Sequence, residues 1–323
     1  MAFSSLRTSI GAGFAAATTS NWTFGLWMGG GDSDSTVIEK TNLASGSSGG
    51  TVGWGSLDTG RSRGGACSNG TNSTALIMGG YNSTNVISEV DYKNITSSAN
   101  ASAWGHLSED IFYGAGTSNG NLDTGVLMGG SDGSSNISSW EKLAISATSS
   151  NSASSGGSLV SGNHVYNGGA VSDANYNRGI IAGGFTTGIV DTIQKITINS
   201  TGTAIDYGNL TAGTETMGSC SNAQNGRGVW GGGKRGSSET NVIEYISISS
   251  GGTATDFGDL TDDRRALAGC SSGTLERGCF GGGYDGSQKN VIDSITISTP
   301  ANSTDFGDLT SVAHYYLMST SGA

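Results

Sequence analysis

The chain is poor in proline, in charge and in long apolar runs. Of its 323 residues, one is proline and 13% are charged. No apolar run reaches the 18 residues that a transmembrane helix needs, so we expect no membrane insertion. The net charge is −11 with only 15 Lys and Arg residues. A nucleic-acid partner is therefore not expected, because a phosphate backbone requires clustered basic side chains.

Cysteine is also scarce, with four residues. No C-x-x-C pair occurs, and Cys67, Cys220 and Cys270 each follow a recurring leucine by ten residues. Other repeats hold small residues at the same place. This exchange is typical of buried free thiols rather than of a disulfide framework or a structural zinc site.

Glycine, in contrast, is abundant and periodic. The chain has 56 glycines, and double or triple glycines recur about every 50 residues, beginning at Gly29, Gly79, Gly129, Gly183, Gly231 and Gly281. A leucine recurs with the same period, at intervals of 49 to 52 residues. We call these residues the marker leucines: Leu6, Leu57, Leu107, Leu159, Leu210, Leu260 and Leu309. A period near 50 predicts the blades of a kelch-like β-propeller, and residues 1–323 are predicted to form one domain.

One repeat, from Leu260 to Leu309, divides into four short strands. Small residues before Ser271 predict the strand nearest the axis, and residues 277–283 predict an apolar strand that ends in glycine. Residues 290–298 alternate as a half-buried strand does, and residues 303–309 predict the outer strand. Four antiparallel strands make one blade. The aromatic residue in each outer strand is predicted to pack between neighbouring sheets, at Trp54, Trp104, Tyr207, Phe257 and Phe306.

The inner-strand motif occurs seven times, whereas the glycine-ended strand occurs six times. We therefore predict six four-stranded blades and one surplus terminal strand, with seven blades as the alternative. An unpaired strand edge exposes backbone N–H and C=O groups that pair readily with another chain. The terminal motifs are thus predicted to bind a partner or a second copy, through Leu6, Phe14, Leu309, His314, Tyr315, Tyr316 and Leu317.

The second half of the chain carries the sharpest repeat. Arg-Gly-x-x-Gly-Gly-Gly precedes Asn-Val-Ile-x-x-Ile-x-Ile-Ser and Thr-Asp-Phe-Gly-Asp-Leu, in residues 227–260 and 277–309. This motif resembles the kelch-like repeats of tailed-phage and other viral structural proteins. The resemblance implies a non-enzymatic virion component in the tail or its fibres, which mediates assembly or host attachment. Its partners would be other virion proteins or copies of itself. Capsid-surface decoration is an alternative.

A glycan-binding propeller is a further alternative. In that case loop aromatics such as Trp22, Tyr81 and Tyr284 would stack on a host-surface sugar. An enzyme is the least favoured class, since a propeller oxidase needs several His or Tyr ligands at one mouth and the chain has three histidines. We predict no catalytic residue, no cofactor and no metal site.

Overall fold

Six four-stranded antiparallel sheets form the six blades of a β-propeller. The computed structural model describes residues 22–31, 35–44, 49–147, 151–310 and 314–322. In every blade the strands follow one another outward from the axis, in chain order except where the ring closes. The predicted six-bladed fold is confirmed, and the seven-bladed alternative is wrong.

Each blade runs from an innermost strand at the axis to an outermost strand at the rim, and its strands are named in that order. Blade 1 contains Met318–Gly322, Phe24–Met28, Val37–Asn42 and Thr51–Ser56. Blade 2 contains Gly65–Ser68, Thr74–Tyr81, Val86–Asn94 and Ser102–His106. Blade 3 contains Ala115–Ser118, Thr124–Met128, Ser139–Ala144 and Ser154–Ser158.

The second half of the ring repeats the plan. Blade 4 contains Gly169–Ser172, Arg178–Ala182, Thr192–Thr197 and Ile205–Asn209. Blade 5 contains Gly218–Ser221, Arg227–Gly231, Val242–Ser247 and Thr255–Asp259. Blade 6 contains Ala268–Ser271, Arg277–Gly281, Val291–Thr296 and Thr304–Asp308.

A few short elements supplement the blades. Asn151–Ser152 pairs in parallel with the outer strand of blade 2, and Lys234–Arg235 pairs with Ser238–Glu239 in a small hairpin of blade 5. One-turn 3₁₀ helices follow four of the inner strands, at Gly70–Asn72, Gly120–Leu122, Ala174–Tyr176 and Ala223–Asn225.

The C-terminal strand closes the ring. Met318–Gly322 pairs antiparallel with Phe24–Met28, with Met318 opposite Met28. The C-terminal copy of the inner-strand motif is therefore not surplus, because it supplies the missing inner strand of blade 1. The N-terminal copy, which contains Leu6 and Phe14, lies outside the described residues.

The double glycines allow neighbouring blades to touch. In blade 3, Gly129 and Gly130 have φ of +60° and +106°, and the Gly130 N–H donates to the carbonyl of Val165 in the next blade (3.0 Å). A Cβ on Gly129 would lie within 3.0 Å of that same carbonyl oxygen. Both the backbone conformation and the blade contact therefore exclude a side chain at this position. The other five blades repeat the contact at Gly29, Gly79, Gly183, Gly232 and Gly282.

A buried polar residue in the third strand latches each blade to the one before it. In blade 5, the Glu244 carboxylate accepts both the N–H and the hydroxyl of Thr211, each at 2.7 Å, and Thr211 follows the marker leucine of blade 4. The equivalent acceptors, all at most 3% exposed, are Glu39, Asp91, Glu141, Gln194 and Asp293. Each accepts a backbone N–H from the residue after a marker leucine. The marker leucine thus precedes the contact that joins two blades.

The hydrophobic core lies between adjacent blades. One cluster joins Val171 and Ile180 of blade 4 to Trp230 and Ile246 of blade 5. All four cysteines are buried and free, which confirms their predicted state.

The aromatic residues of the outer strands also reach across the blade interfaces. Trp54 Nε1 donates to the Ile95 carbonyl of the next blade (2.7 Å). The Tyr207 hydroxyl likewise donates to the Ile248 carbonyl of the next blade (2.9 Å). Their predicted place between sheets is confirmed for these two residues.

Candidate functional site

A closed ring of six backbone hydrogen bonds surrounds one mouth of the propeller. Its members stand two residues before each inner strand, at Arg63, Tyr113, Asn167, Thr216, Ala266 and Tyr316. Each N–H donates to the carbonyl of its counterpart in the preceding blade, with distances of 2.6 to 3.2 Å. All six have φ between +53° and +61°. Such φ values are unfavourable for side-chain-bearing residues, and the hydrogen bonds around the ring hold them.

Eight aromatic side chains spread over the same mouth. We call them the aromatic face: Tyr81, Phe112, Tyr113, Tyr166, Phe185, Tyr284, Tyr315 and Tyr316. All eight are half-buried. Neighbouring ring centroids lie 4.5 to 6.5 Å apart, and the Tyr113–Tyr316 contact at 5.3 Å joins the two branches into one network. These separations are those of interacting aromatic pairs.

Arg63 places a positive charge within the aromatic face. Its guanidinium carbon lies 4.8 Å from the ring centroid of Tyr316 and 5.8 Å from that of Tyr113, and the group donates to Ser62 Oγ (3.0 Å). Such cation–π contacts hold the guanidinium without neutralising its charge. Within the described part of the chain, no carboxylate pairs with Arg63.

Tyr113 remains a neutral phenol beside this cation. Burial raises the pKa of Tyr113 well above its ordinary value, the nearby Tyr316 raises it further, and Arg63 opposes both effects. At neutral pH the hydroxyl therefore keeps its proton and acts as a hydrogen-bond donor or acceptor.

The other cations around this mouth are paired with carboxylates, mainly near blade 5. Lys234 Nζ lies 3.9 Å from Glu215 Oε1, and Arg265 Nε lies 3.5 Å from Glu239 Oε1. Arg63 thus differs from Lys234 and Arg265, because no carboxylate among the described residues forms an ion pair with its guanidinium.

The opposite mouth has a different character. Six serines line it, one from each inner strand: Ser68, Ser118, Ser172, Ser221, Ser271 and Ser321. Trp22 also lies there, and its backbone N–H donates to the carbonyl of Ser272 (3.2 Å). Of the three residues predicted to stack on a sugar, Tyr81 and Tyr284 therefore share the aromatic face, whereas Trp22 stands at the other end of the axis.

The residues predicted to bind a partner at the C-terminal motif divide into two groups. Leu309 is 3% exposed in the core between blades 6 and 1, so its side chain is closed to a partner. Tyr315 and Tyr316 belong to the aromatic face. Half-buried His314 and Leu317 stand next to them, and the His314 carbonyl accepts the Gly283 N–H (2.8 Å). Their binding of a partner stays a prediction.

Several residues of this mouth were not predicted from the sequence, notably Arg63, Phe112, Tyr113, Tyr166 and Phe185. Their common feature is position, because each lies two or three residues before an inner strand or directly after a double glycine. An alignment of the repeats on their inner strands would have shown that these residues occupy equivalent positions.

Comparisons with known proteins add no family to this picture. No family model matches the chain, and a search of curated proteins finds no match. In the part of the chain that the structure describes, no helix is long and apolar enough to cross a membrane. The same residues contain no group of three or more His, Cys, Asp or Glu that could hold a metal ion.

Proposed function

We propose that this propeller is a non-enzymatic component of a phage virion, associated with the tail or its fibres, and that the aromatic face is its attachment surface. The observation that carries the proposal is the gathering of eight half-buried aromatic rings and one cation at a single mouth. Tyr, Trp and Arg are the residues that most often dominate binding interfaces. The virion setting is supported by the resemblance of residues 227–260 and 277–309 to phage structural repeats.

Three sets of contacts join the blades without these aromatic side chains. The blades are joined by the backbone ring, by the double glycines and by the buried latches, and none of these contacts uses an aromatic ring of the face. Tyr113 and Asn167 hold equivalent places in the backbone ring although their side chains differ. A contiguous, partly exposed apolar surface of this kind marks a binding site.

Glycan binding is the second candidate function, and the composition of the face favours it. Six of its eight residues are tyrosines, which offer a flat apolar ring together with a hydroxyl group. This combination gives contact area and hydrogen bonding at a low cost in side-chain entropy. Attachment to a host surface and recognition of a surface sugar would then be one activity.

Substitutions on the two mouths test the attachment surface. We expect Tyr166→Ala together with Tyr316→Ala to reduce binding of the fluorescently labelled protein to host cells at least tenfold. Tyr176→Ala is the matched control, because Tyr176 is 58% exposed and lies in the 3₁₀ helix at the serine-lined mouth. Equal binding by the double variant and the control would contradict the use of the aromatic face.

The virion assignment has its own test. Gold-labelled antibody against this protein should mark purified virions at the tail. Labelling over the head would favour the capsid-decoration alternative, and unlabelled virions would overturn the virion assignment itself.

A further inference from the structure

The six side chains of the backbone ring are unevenly sized, and this unevenness shapes the recess at the mouth. The recess is lined by Arg63, Tyr113, Asn167, Thr216, Ala266 and Tyr316. Tyr316, Arg63 and Tyr113 come from three consecutive positions around the ring and are large. The three facing positions hold Asn167, Thr216 and Ala266, which are small. One half of the recess is therefore a wall of two phenols around a guanidinium, and the other half is open and polar.

We infer that this recess binds a saccharide that carries a carboxylate, with the carboxylate on Arg63 and the sugar ring against the tyrosines. The inference rests on the proposal above that the aromatic face is the attachment surface. It adds the chemical class of the ligand and the residue that selects it.

The charge pattern argues for a single carboxylate. The guanidinium of Arg63 is a planar fork that matches the two oxygens of a carboxylate. The described residues offer it no anionic partner, whereas Lys234 and Arg265 are already paired. One unpaired cation balances one negative charge. A phosphate chain or another polyanion would need more cations, on a protein whose net charge is −11.

The remaining groups fit a partner rich in hydroxyls. Tyr113 and Tyr316 present phenol groups next to Arg63, and Asn167 presents an amide on the facing half. Asn167 Nδ2 donates to Glu215 Oε2 (3.3 Å), which leaves the amide oxygen of Asn167 to accept a hydrogen bond from a ligand. Flat aromatic rings offer apolar contact to the C–H faces of a pyranose while the polar groups bind its edge.

Calorimetric titration with paired oligosaccharides tests the inference. The probes are oligomers that contain glucuronic, galacturonic or sialic acid, each compared with a neutral counterpart that lacks the carboxylate. We expect at least one acidic oligomer to bind tenfold or more tightly than its neutral counterpart. Equal affinities throughout the panel would overturn the inference.

Variants of two arginines identify the residue responsible. Arg63→Gln should weaken binding of the acidic oligomer at least tenfold and leave the neutral one unchanged, because a charge-assisted hydrogen-bonded pair is lost. Arg265→Gln is the matched control, since Arg265 also lies over a ring of the face, Tyr284, but is paired with Glu239. We expect its affinity to stay within threefold of the original. Equal effects of the two substitutions would overturn the role of Arg63.

A conservative substitution of Arg63 separates loss of the carboxylate contact from loss of folding. Arg63→Lys keeps the charge and loses the fork, so we expect an affinity for the acidic oligomer at least threefold below that of the unchanged protein. Thermal unfolding of each variant shows whether the fold is retained. An undiminished affinity of the lysine variant would contradict the bidentate contact.

Two further outcomes separate this inference from the proposed function. If a peptide with a C-terminal carboxylate binds at Arg63 and no acidic saccharide does, the saccharide assignment is wrong. If cell attachment depends on Tyr166 and Tyr316 but no acidic ligand is preferred, the inference fails and the proposed attachment surface stands. If attachment is insensitive to both tyrosines, the proposed function itself fails.

Discussion

The carboxylate of Glu39 accepts hydrogen bonds from both the backbone N–H and the hydroxyl of Thr310, at 3.2 and 3.0 Å. The two residues stand 271 positions apart in the chain and belong to blades 1 and 6. Five equivalent latches join consecutive blades, but this one joins the two ends of the ring. Two contacts thus close the propeller. One is a buried polar acceptor of the kind found at every other blade interface, and the other is the pairing of the C-terminal strand with Phe24–Met28.

Removing this acceptor should destabilise the ring. Glu39→Ala removes the buried acceptor of two hydroxyl groups, those of Thr310 (3.0 Å) and Thr51 (2.7 Å), whereas the Thr310 N–H keeps Thr51 Oγ1 as an acceptor (2.8 Å). We expect a loss of about 2–4 kcal/mol in the free energy of unfolding, measured by urea denaturation. Glu39→Gln should cost less, because Gln194 fills the equivalent place in blade 4 and accepts the Val160 N–H (2.8 Å).

The control for this prediction is Asp256→Asn, since Asp256 is an exposed carboxylate in an outer strand. Its free energy of unfolding should stay within about 0.5 kcal/mol of the original. An unchanged stability of Glu39→Ala would show that the latch contributes nothing to closure.

Deletion of residues 311–323 should open the propeller. The deletion removes Met318–Gly322, so blade 1 loses its inner strand and Phe24–Met28 loses one row of hydrogen bonds. A three-stranded blade with an unpaired edge invites pairing with other chains. We expect a lower thermal midpoint and concentration-dependent association, measured by calorimetry and light scattering. A truncated chain that is monomeric and as stable as the original would refute the closure shown by the structure.

Alanine at a double glycine should be far more harmful than alanine at an ordinary turn glycine. Gly183→Ala forces a side chain into a left-handed conformation (φ +60°) and against the Thr214 carbonyl. We expect a loss of about 2–4 kcal/mol in stability by chemical denaturation. Gly188→Ala, with open space around its Cβ position, should change stability by no more than about 0.5 kcal/mol. Similar losses at both sites would contradict the steric role of the double glycine.

The buried thiols should make the protein sensitive to alkali. Burial raises the pKa of Cys67 from 9.0 to about 12, and also raises the pKa values of Cys220 and Cys270. The unfolded chain ionises these thiols first, so stability is unaffected up to about pH 8 and falls as the pH rises through 9 towards 12, by up to about 1.4 kcal/mol per pH unit for each thiol. Urea denaturation at about pH 8 and about pH 10.5 measures this fall.

Substitution of Cys67 by serine or alanine provides the comparison, because either variant should lose part of the alkaline dependence. In the native protein at about pH 8, a thiol reagent should label almost no cysteine until denaturant is added. Rapid native labelling would contradict burial of the thiols.

The blade plan could be predicted from the sequence because it repeats in residue type. Apolar alternation such as that of Ile295 and Ile297 recurs in the third strands of blades 3 to 6, and the double glycine recurs because the same carbonyl contact excludes a side chain in every blade. The order of the strands and their number per blade followed from these patterns. Which terminal copy closes the ring could not be predicted, since Leu6 and Leu309 head nearly identical motifs and only pairing distinguishes them.

The candidate site could not be predicted in the same way. The features that repeat there are a backbone conformation and a backbone hydrogen bond, not a residue type. Arg63 and Thr216 share a left-handed conformation and a hydrogen bond to the next blade, yet their side chains have nothing in common. The latches were missed for a related reason. Glu244 and Gln194 lie on the same strand face as the isoleucines that follow them, but a polar residue on that face does not indicate its partner, and only the contact between blades shows what it binds.

The backbone ring separates the shape of the mouth from its chemistry. Six backbone N–H groups and six backbone carbonyls hold the six positions, and no side-chain atom takes part in these six hydrogen bonds. A single codon change at residue 63, 113, 167, 216, 266 or 316 can therefore alter the chemistry of the mouth while the scaffold keeps its form. Under the attachment function proposed above, one substitution at a time would change the target while the backbone frame stays constant.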